Sequence, residues 1–324
     1  MNTTQNKSLF PFFEEGARGS LRMGSLRMGS LLLVALLSAL SLNAQMLKVY
    51  KGGAMVYCLE NADSVVFCSL PHHALSGVFS VSETKQIHFS CGNLQYTQST
   101  QTWSFAEHQY DMIGEANISN GVLADKIDLF GWSGSTATAQ WGISTSTDKS
   151  DYSGDFVDWG TNTIGKDAPD TWRTLTKDEW SYLLSNRTNA NNLIGVARIN
   201  LNADGTEYAN GLILLPDNWT CPAGVTFKSG LASENSVQAY ADYQTFTLSD
   251  WQQLEAAGAV FLPASGNRYG DGADAYDGLY SGYWLATPYG SDYAGTFIFS
   301  SNEAKAYGYW NRGSGHAVRL VRNL

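Results

Sequence analysis

The chain has 324 residues, of which 15% are charged and 13% aromatic, with 10 Trp, 17 Tyr and 32 Gly. Charge well below the roughly 25% of an average soluble chain, together with so many rings, excludes wholesale disorder and supplies ample volume for a buried core. A net charge of -10 with no basic stripe excludes nucleic acid as a partner, because phosphate binding leans on clustered Lys and Arg.

Residues 1–44 read as a leader and signal peptide. Arg22 and Arg27, each in a Ser-Leu-Arg-Met-Gly repeat, precede an apolar run over 31–42, and Ala44 supplies the small residue before the cut. That run is shorter than the about 20 apolar residues of a bilayer span. A mature chain beginning at Gln45, without a transmembrane segment and secreted or held at the cell surface, is expected. Cleavage removes Lys7, Arg18, Arg22 and Arg27 against Glu14 and Glu15, which takes the net charge from -10 to -12.

Residues 45–68 alternate apolar and polar around Lys51-Gly52-Gly53 and close with Asp63-Ser64-Val65-Val66-Phe67, the pattern of a small β-hairpin. Residues 69–78, with Pro71, read as a linker in which His72 and His73 are solvated. From residue 79 to 324 the signals belong to one mixed domain. Strands are expected at Phe79-Ser80-Val81, Ile87-His88-Phe89 and Trp103-Ser104-Phe105. Residues 131–170, rich in Gly, Ser, Thr and Asp, form a long loop region anchored by Trp132, Trp141 and Trp159.

Two helix starts are legible. Thr176-Lys177-Asp178-Glu179 is a capping box, with Leu175 and Trp180 placed as a hydrophobic staple and the helix running to about Asn186. The second helix starts at Ser249-Asp250-Trp251-Gln252 and ends where Gly258 can turn left-handed. Strands follow the pattern at residues 193–201, 211–215, 260–263, 283–287, 296–300 and 317–322, with Ala203-Asp204-Gly205-Thr206 as a hairpin turn. Few helices among many antiparallel strands give an α+β domain.

Four cysteines, Cys58, Cys68, Cys91 and Cys221, allow three connectivities, and none lies in a C-x-x-C pair. They read as isolated buried thiols, with Cys58 and Cys68 the pair close enough in sequence to join. Asn200-x-Asn202-x-Asp204-Gly205 imitates a calcium loop, but its twelfth residue is Gly211 where a bidentate Glu is required. Asp271, Asp274 and Asp277 fit no calcium spacing and read as a solvated loop. Glu107 with His108, and Asp178 with Glu179, lack a nucleophile that the sequence places beside them, and capping explains Glu179.

Several stretches resemble secreted Bacteroidetes proteins with a C-type-lectin-like domain. They are Phe79-Ser-Val-Ser, Phe89-Ser-Cys-Gly-Asn-Leu-Gln-Tyr96 and Ile127-Asp-Leu-Phe-Gly-Trp132. Trp172-Arg-Thr-Leu-Thr-Lys-Asp-Glu-Trp180, Gly211-Leu-Ile-Leu-Leu-Pro-Asp-Asn-Trp219, Tyr283-Trp284 and Ala317-Val-Arg-Leu-Val-Arg322 continue the likeness. It covers residues 79–324 and implies a C-type-lectin-like domain with two helices and antiparallel strands. Formylglycine-generating enzymes and the variable proteins of diversity-generating retroelements share that fold. The stretch from Arg173 to Trp180 is similar to the enzymes' helix start, and Val318-Arg-Leu-Val-Arg322 to their closing strand. Those enzymes work with two nearby cysteines late in the domain, whereas Cys221 is the only cysteine here after Cys91. The resemblance therefore implies the fold without the activity. Sugar-binding C-type lectins hold calcium with Glu-Pro-Asn or Gln-Pro-Asp and a Trp-Asn-Asp stretch. Pro216-Asp217-Asn218-Trp219 departs from that order, and no calcium or other cofactor is expected.

Segments 288–295 and 302–315 read as loops joining the last three strands, and Tyr, Trp, Gly, Ser and Asn dominate them. Rigid amphipathic rings among adaptable small residues are the chemistry of antibody loops. The expected ligand-binding residues are Tyr289, Ser291, Asp292, Tyr293, Tyr307, Tyr309, Trp310, Asn311 and Arg312, with Trp284 in the core. In retroelement variable proteins this terminal stretch is the diversified surface. The sequence thus points to a ligand-binding module for adhesion, its partner a protein or glycan on another cell or in the envelope. An enzyme of the formylglycine-generating type and a structural envelope or fimbrial component are the alternatives.

Overall fold

The computed structural model describes residues 73–324, together with the strand backbone at Met46–Lys51 and Ala54–Glu60. The chain divides into two compact units between Cys68 and Ser69. In the first, β1 (Met46–Lys51) and β2 (Ala54–Glu60) pair antiparallel, with Met46 opposite Glu60 and Lys51 opposite Ala54. The signal segment, His72, the side chains of Cys58 and Cys68, and residues 69–72 of the expected linker lie outside the described residues.

The second unit is α+β. It opens with β3 (Phe79–Ser80), β4 (Gln86–Phe89), β5 (Leu94–Thr97) and β6 (Thr102–Phe105), followed by β7 (Ile118–Ser119), β8 (Val122–Leu123) and β9 (Lys126–Ile127). The next elements are α1 (Lys177–Ser181), β10 (Ile194–Asn200), β11 (Tyr208–Leu214), α2 (Val237–Tyr243), β12 (Thr245–Thr247), α3 (Leu248–Ala256) and β13 (Val260–Pro263). The chain ends with β14 (Asn267–Tyr269), β15 (Gly272–Asp274), β16 (Tyr280–Tyr289), β17 (Tyr293–Ser300), β18 (Glu303–Asn311) and β19 (Val321–Asn323).

The central sheet runs β12-β10-β11-β13. Alternate side chains of its strands enter different cores because a strand points successive residues to opposite faces. Leu212, Leu214, Val260 and Leu262 join Trp180, Tyr283, Phe297 and Phe299 on one side. Ile213, Leu215 and Phe261 join Trp251 and Leu254 of α3 on the other. Covering both faces explains why Gly211-Leu-Ile-Leu-Leu is apolar without alternation. A third core gathers Trp103, Phe130, Trp132, Trp159, Trp172 and Trp284.

Thr176 and Glu179 form the capping box of α1, and the helix passes into a π-helical turn over Tyr182–Asn186. Burial pushes the Glu179 carboxyl up, but the two 2.8 Å contacts from the Arg173 guanidinium outweigh it and leave the group below the usual range. For α3 the cap is Thr247, not Ser249: its hydroxyl accepts from the Asp250 amide, whose carboxylate returns the bond to Thr247. The sequence reading also missed α2, capped by Ser236, because only Ala239 and Tyr240 of its seven residues are buried. One strand pair, β10 with β12, is parallel rather than antiparallel.

Residues 73–77 are not a free linker. The Leu75 amide donates to the Phe89 carbonyl at 2.9 Å, and the Cys91 amide to the His73 carbonyl at 2.8 Å. His73 is not simply solvated either: its Nδ1 lies 3.0 Å from an Asp167 carboxylate oxygen, and its ring meets Phe105 edge-on. Gly258 ends α3 at φ +95° with its Cα against Gly77, a close approach that suits glycine on both sides. The 131–170 region makes three short 3-10 turns, and Trp132 and Trp159 are fully buried within it. Their indoles donate to the Leu285 and Trp141 carbonyls at 2.8 and 3.1 Å.

Candidate functional site

β16, β17 and β18 form an antiparallel meander. Tyr289 opposes Tyr293, Tyr293 opposes Asn311, Gly295 opposes Tyr309 and Ala294 opposes Trp310. This corrects the expectation of long terminal loops, since only residues 290–292 and 301–302 lie between these strands. Alternation along β18 separates Tyr307, Tyr309 and Asn311 from Trp310. The side chains of Tyr289, Tyr293, Tyr307 and Tyr309 are exposed by 56%, 38%, 63% and 53%, which marks them as surface rather than core. Gly295, in the middle strand, has no side chain to separate Tyr289 from Tyr309. Their rings stack across it with centroids 4.3 Å apart, and Tyr293 meets Tyr309 edge-on at 5.9 Å.

A cleft of about 390 Å³ opens beside Tyr309. Tyr293, Tyr309, Trp310 and Asn311 line it from the meander. Asn267 and Tyr269 of β14, with Tyr276 and Ser314, complete it. Tyr276 and Asp277 hold left-handed backbones at φ +48° and +51°, a conformation unfavourable to side-chain-bearing residues that fixes where Tyr276 projects. Tyr309 also borders a second hollow of about 220 Å³, together with Tyr289, Tyr307, Thr287 and Lys177.

Trp310 is half-buried against the core. Its indole meets His316 edge-on at 5.3 Å, and the opposite neighbour of His316 is Trp284 at 4.8 Å. His316 is fully buried, and neither ring nitrogen has a hydrogen-bond partner. Burial, aided by the Arg268 charge, pushes its pKa down to about 3, so the ring is neutral. Arg268 is also fully buried. It donates to the carbonyls of Ser144 at 2.8 Å, Gly270 at 3.3 Å, and Leu129 and Gly142 at 3.4 Å. The guanidinium thereby ties the strand carrying Asn267 and Tyr269 to the 131–170 region.

The nine expected residues divide by position. Tyr293, Tyr309, Trp310 and Asn311 line the cleft, while Tyr289 and Tyr307 join Tyr309 at the second hollow. Ser291 is exposed in the 290–292 turn and donates to Asp292 at 2.8 Å. Asp292 pairs with Lys149 at 3.0 Å, and this hydrogen bond lowers the carboxyl pKa and raises that of the ammonium. Lys149 also sits 5.2 Å above the Tyr293 ring. Arg312 points inward and is only 4% exposed. It donates to the carbonyls of Gly154 and Gly290 at 2.9 Å, Tyr293 at 3.3 Å and Tyr152 at 3.4 Å, and lies 4.3 Å above Trp132. This geometry makes it a clamp beneath the surface rather than a group available to a ligand.

Asn267, Tyr269, Tyr276 and Ser314 were missed. The available signal was the tyrosines in Arg-Tyr-Gly and Ala-Tyr-Asp-Gly, at either end of a loop that drew notice for Asp271, Asp274 and Asp277. Those aspartates belong to the β14–β15 hairpin and the turn after it, and no group of three or more His, Cys, Asp or Glu that could hold a metal occurs among the described residues. Asp204 closes the β10–β11 turn by accepting from the Thr206 amide and hydroxyl at 3.0 and 2.7 Å. Of the thiols, Cys91 is half-buried and its pKa is raised by burial, whereas Cys221 is exposed, contrary to the expectation of buried cysteines. No family model, no curated protein and no solved structure matches the chain.

Proposed function

We propose that the protein is a secreted or surface-exposed ligand-binding module of the C-type-lectin-like class, related to the secreted Bacteroidetes proteins it resembles. Its ligand surface is the aromatic cleft beside β18. One observation carries this reading: five rings, Tyr269, Tyr276, Tyr293, Tyr309 and Trp310, converge on one cleft, and its four tyrosines remain exposed by 38–53%. Large rings gathered at a surface point to a partner, because burying them is where association gains most. Tyrosine and tryptophan offer contact area with little side-chain freedom to lose, and Asn and Ser offer adaptable hydrogen bonding.

The surrounding motifs support the fold assignment. The capped helix α1 sits with Arg173 and Glu179 in the motif shared with the family, and Val321 at the closing strand exchanges backbone hydrogen bonds with Arg173 at 2.8 and 2.9 Å. Among the described residues no helix is long and apolar enough to cross a membrane. The module serves adhesion through a protein or glycan on another cell or in the envelope, needs no cofactor, and acts by binding rather than catalysis. Its terminal strands occupy the place of the diversified surface in retroelement variable proteins.

The test is capture. Biotinylated protein and its Tyr309→Ala variant are incubated with labelled surface extracts of neighbouring cells. Capture by the parent and loss by a variant with an unchanged melting temperature is expected. Equal capture by both removes the cleft from the reading.

A further inference from the structure

We infer that the cleft takes a neutral oligosaccharide, held by ring stacking and hydrogen bonds without a bridging metal ion. This rests on the cleft being the ligand surface and adds the chemical class of the ligand. The first support is two polar side chains, mostly buried, whose hydrogen-bonding atoms have no protein partner and face the cleft. Asn267 is 8% exposed and Ser314 3% exposed, both line the cleft, and neither the carboxamide nor the hydroxyl has a hydrogen-bond partner within the protein. Neither is among the side-chain atoms sealed from solvent without a partner, so their hydrogen-bonding atoms open onto the cleft, where a ligand can replace water as their partner. Asn311 is half-buried and already accepts from the Gly313 amide at 2.9 Å through Oδ1, which leaves its amide nitrogen as a further donor at the cleft.

The second support is the absence of charge. The lining consists of four Tyr, one Trp, two Asn and one Ser, with no Asp, Glu, Lys, Arg or His among them, in a chain of net charge -10. The nearby ammonium of Lys149 is already engaged by Asp292. Neither a carboxylate nor an imidazole borders the cleft, so it lacks the ligands that calcium or zinc requires. Carboxamides and hydroxyls both donate and accept, which suits ligand hydroxyls that do the same. The aromatic rings suit the C–H face of a pyranose, and Trp310 is held firm for that purpose between His316 and Tyr280.

The size of the cleft suits a short sugar chain. A cleft of about 390 Å³ falls within the range of small-ligand sites. Tyr309 borders the second hollow as well, so a chain of two or more sugar units can continue past it.

The experiment presents the full-length exported protein to immobilised neutral oligosaccharides, their sialylated and sulfated counterparts, and a peptide library, in EDTA and again in calcium. Binding to neutral oligosaccharides, unchanged by EDTA, is expected. It should weaken about tenfold in Ser314→Ala and in Asn311→Ala, the loss of one or two hydrogen bonds, with melting temperatures held. No neutral sugar bound, binding only in calcium, preference for charged sugars or peptides, or equal binding by folded variants would each overturn the inference. A blank sugar array beside Tyr309-dependent capture from cell extracts removes the sugar and keeps the binding module. Capture independent of Tyr309 removes both.

Discussion

Tyr289 and Tyr309 lie on the two outer strands of the terminal meander, yet their rings stack with 8° between planes, because Gly295 leaves the middle strand bare beneath them. Both rings are more than half exposed, so the pair contributes little to folding and much to the surface offered to a partner. Tyr309→Ala should cost about 1 kcal/mol of stability or less, yet weaken ligand binding by about 2 kcal/mol, roughly thirtyfold. Trp284→Ala should do the reverse. That indole is 2% exposed and donates to the Phe130 carbonyl at 2.6 Å, and its loss should cost about 3–5 kcal/mol of folding. Thermal melts and titrations on both variants check this, and a Tyr309→Ala protein as unstable as Trp284→Ala would make the tyrosine core.

Arg312 predicts a different failure. Removing its guanidinium leaves buried carbonyls without donors, so Arg312→Ala should destabilise by about 3 kcal/mol. Arg312→Lys should rescue little, because one ammonium cannot reproduce the fork that reaches both Gly154 and Gly290. Denaturant unfolding decides it, and full rescue by lysine would show that charge alone matters.

His316 predicts a pH dependence. Its folded pKa of about 3 lies below the 6.5 of a free histidine, so between those values the unfolded chain binds a proton that the folded chain refuses. Stability from this group is therefore lost as pH falls through 6.5 towards 3, at up to about 1.4 kcal/mol per pH unit. Asp128 acts oppositely: burial raises its pKa to about 6, so the folded chain holds an extra proton between about 4 and 6 and gains stability as pH falls there. His316→Phe should therefore gain on the parent progressively from pH 7 to pH 4 in urea unfolding. A difference constant with pH would mean that the imidazole protonates freely in the fold.

The two described thiols should differ in reactivity. Cys221 is exposed, and Cys91 is half-buried with its thiolate disfavoured by burial. Brief iodoacetamide treatment of native protein should label Cys221 first, as peptide mass spectrometry will show. Cys221→Ser should change stability by no more than about 0.5 kcal/mol. Faster labelling at Cys91 would contradict its placement.

Export predicts a mature N-terminus at Gln45, after a small residue that closes the signal-like run. Intact-mass measurement of protein recovered outside the cell checks it. Retention of residues 31–42 would place the chain elsewhere.

Local signals in the sequence reported local structure well. The Thr176 box and the Val260–Pro263 strand stand where their patterns put them, since a capping box and a short apolar run both act within a few residues. What escaped was long-range. A strand-edge tyrosine such as Tyr309 and a loop tyrosine look alike in one dimension, and β18 was therefore read as a loop. Asn267 and Ser314 meet Tyr309 only because Arg268 and Gly315 exchange backbone hydrogen bonds. Buried cations without a carboxylate, Arg268 above all, have no sequence signature, and neither does the contact that seats Arg319 on Asn93 and Gln109.

Arg268 and Arg312 share a habit with an evolutionary consequence. Every hydrogen bond that either guanidinium makes ends on a main-chain carbonyl. Such clamps register the path of a segment and ignore its letters. Residues at 144 and 293 can therefore drift in identity while the arginines continue to hold their course, whereas Tyr152 is fixed by burial and Gly290 by its left-handed φ of +67°. The rim of the cleft can change its chemistry from one descendant to the next without surrendering its shape.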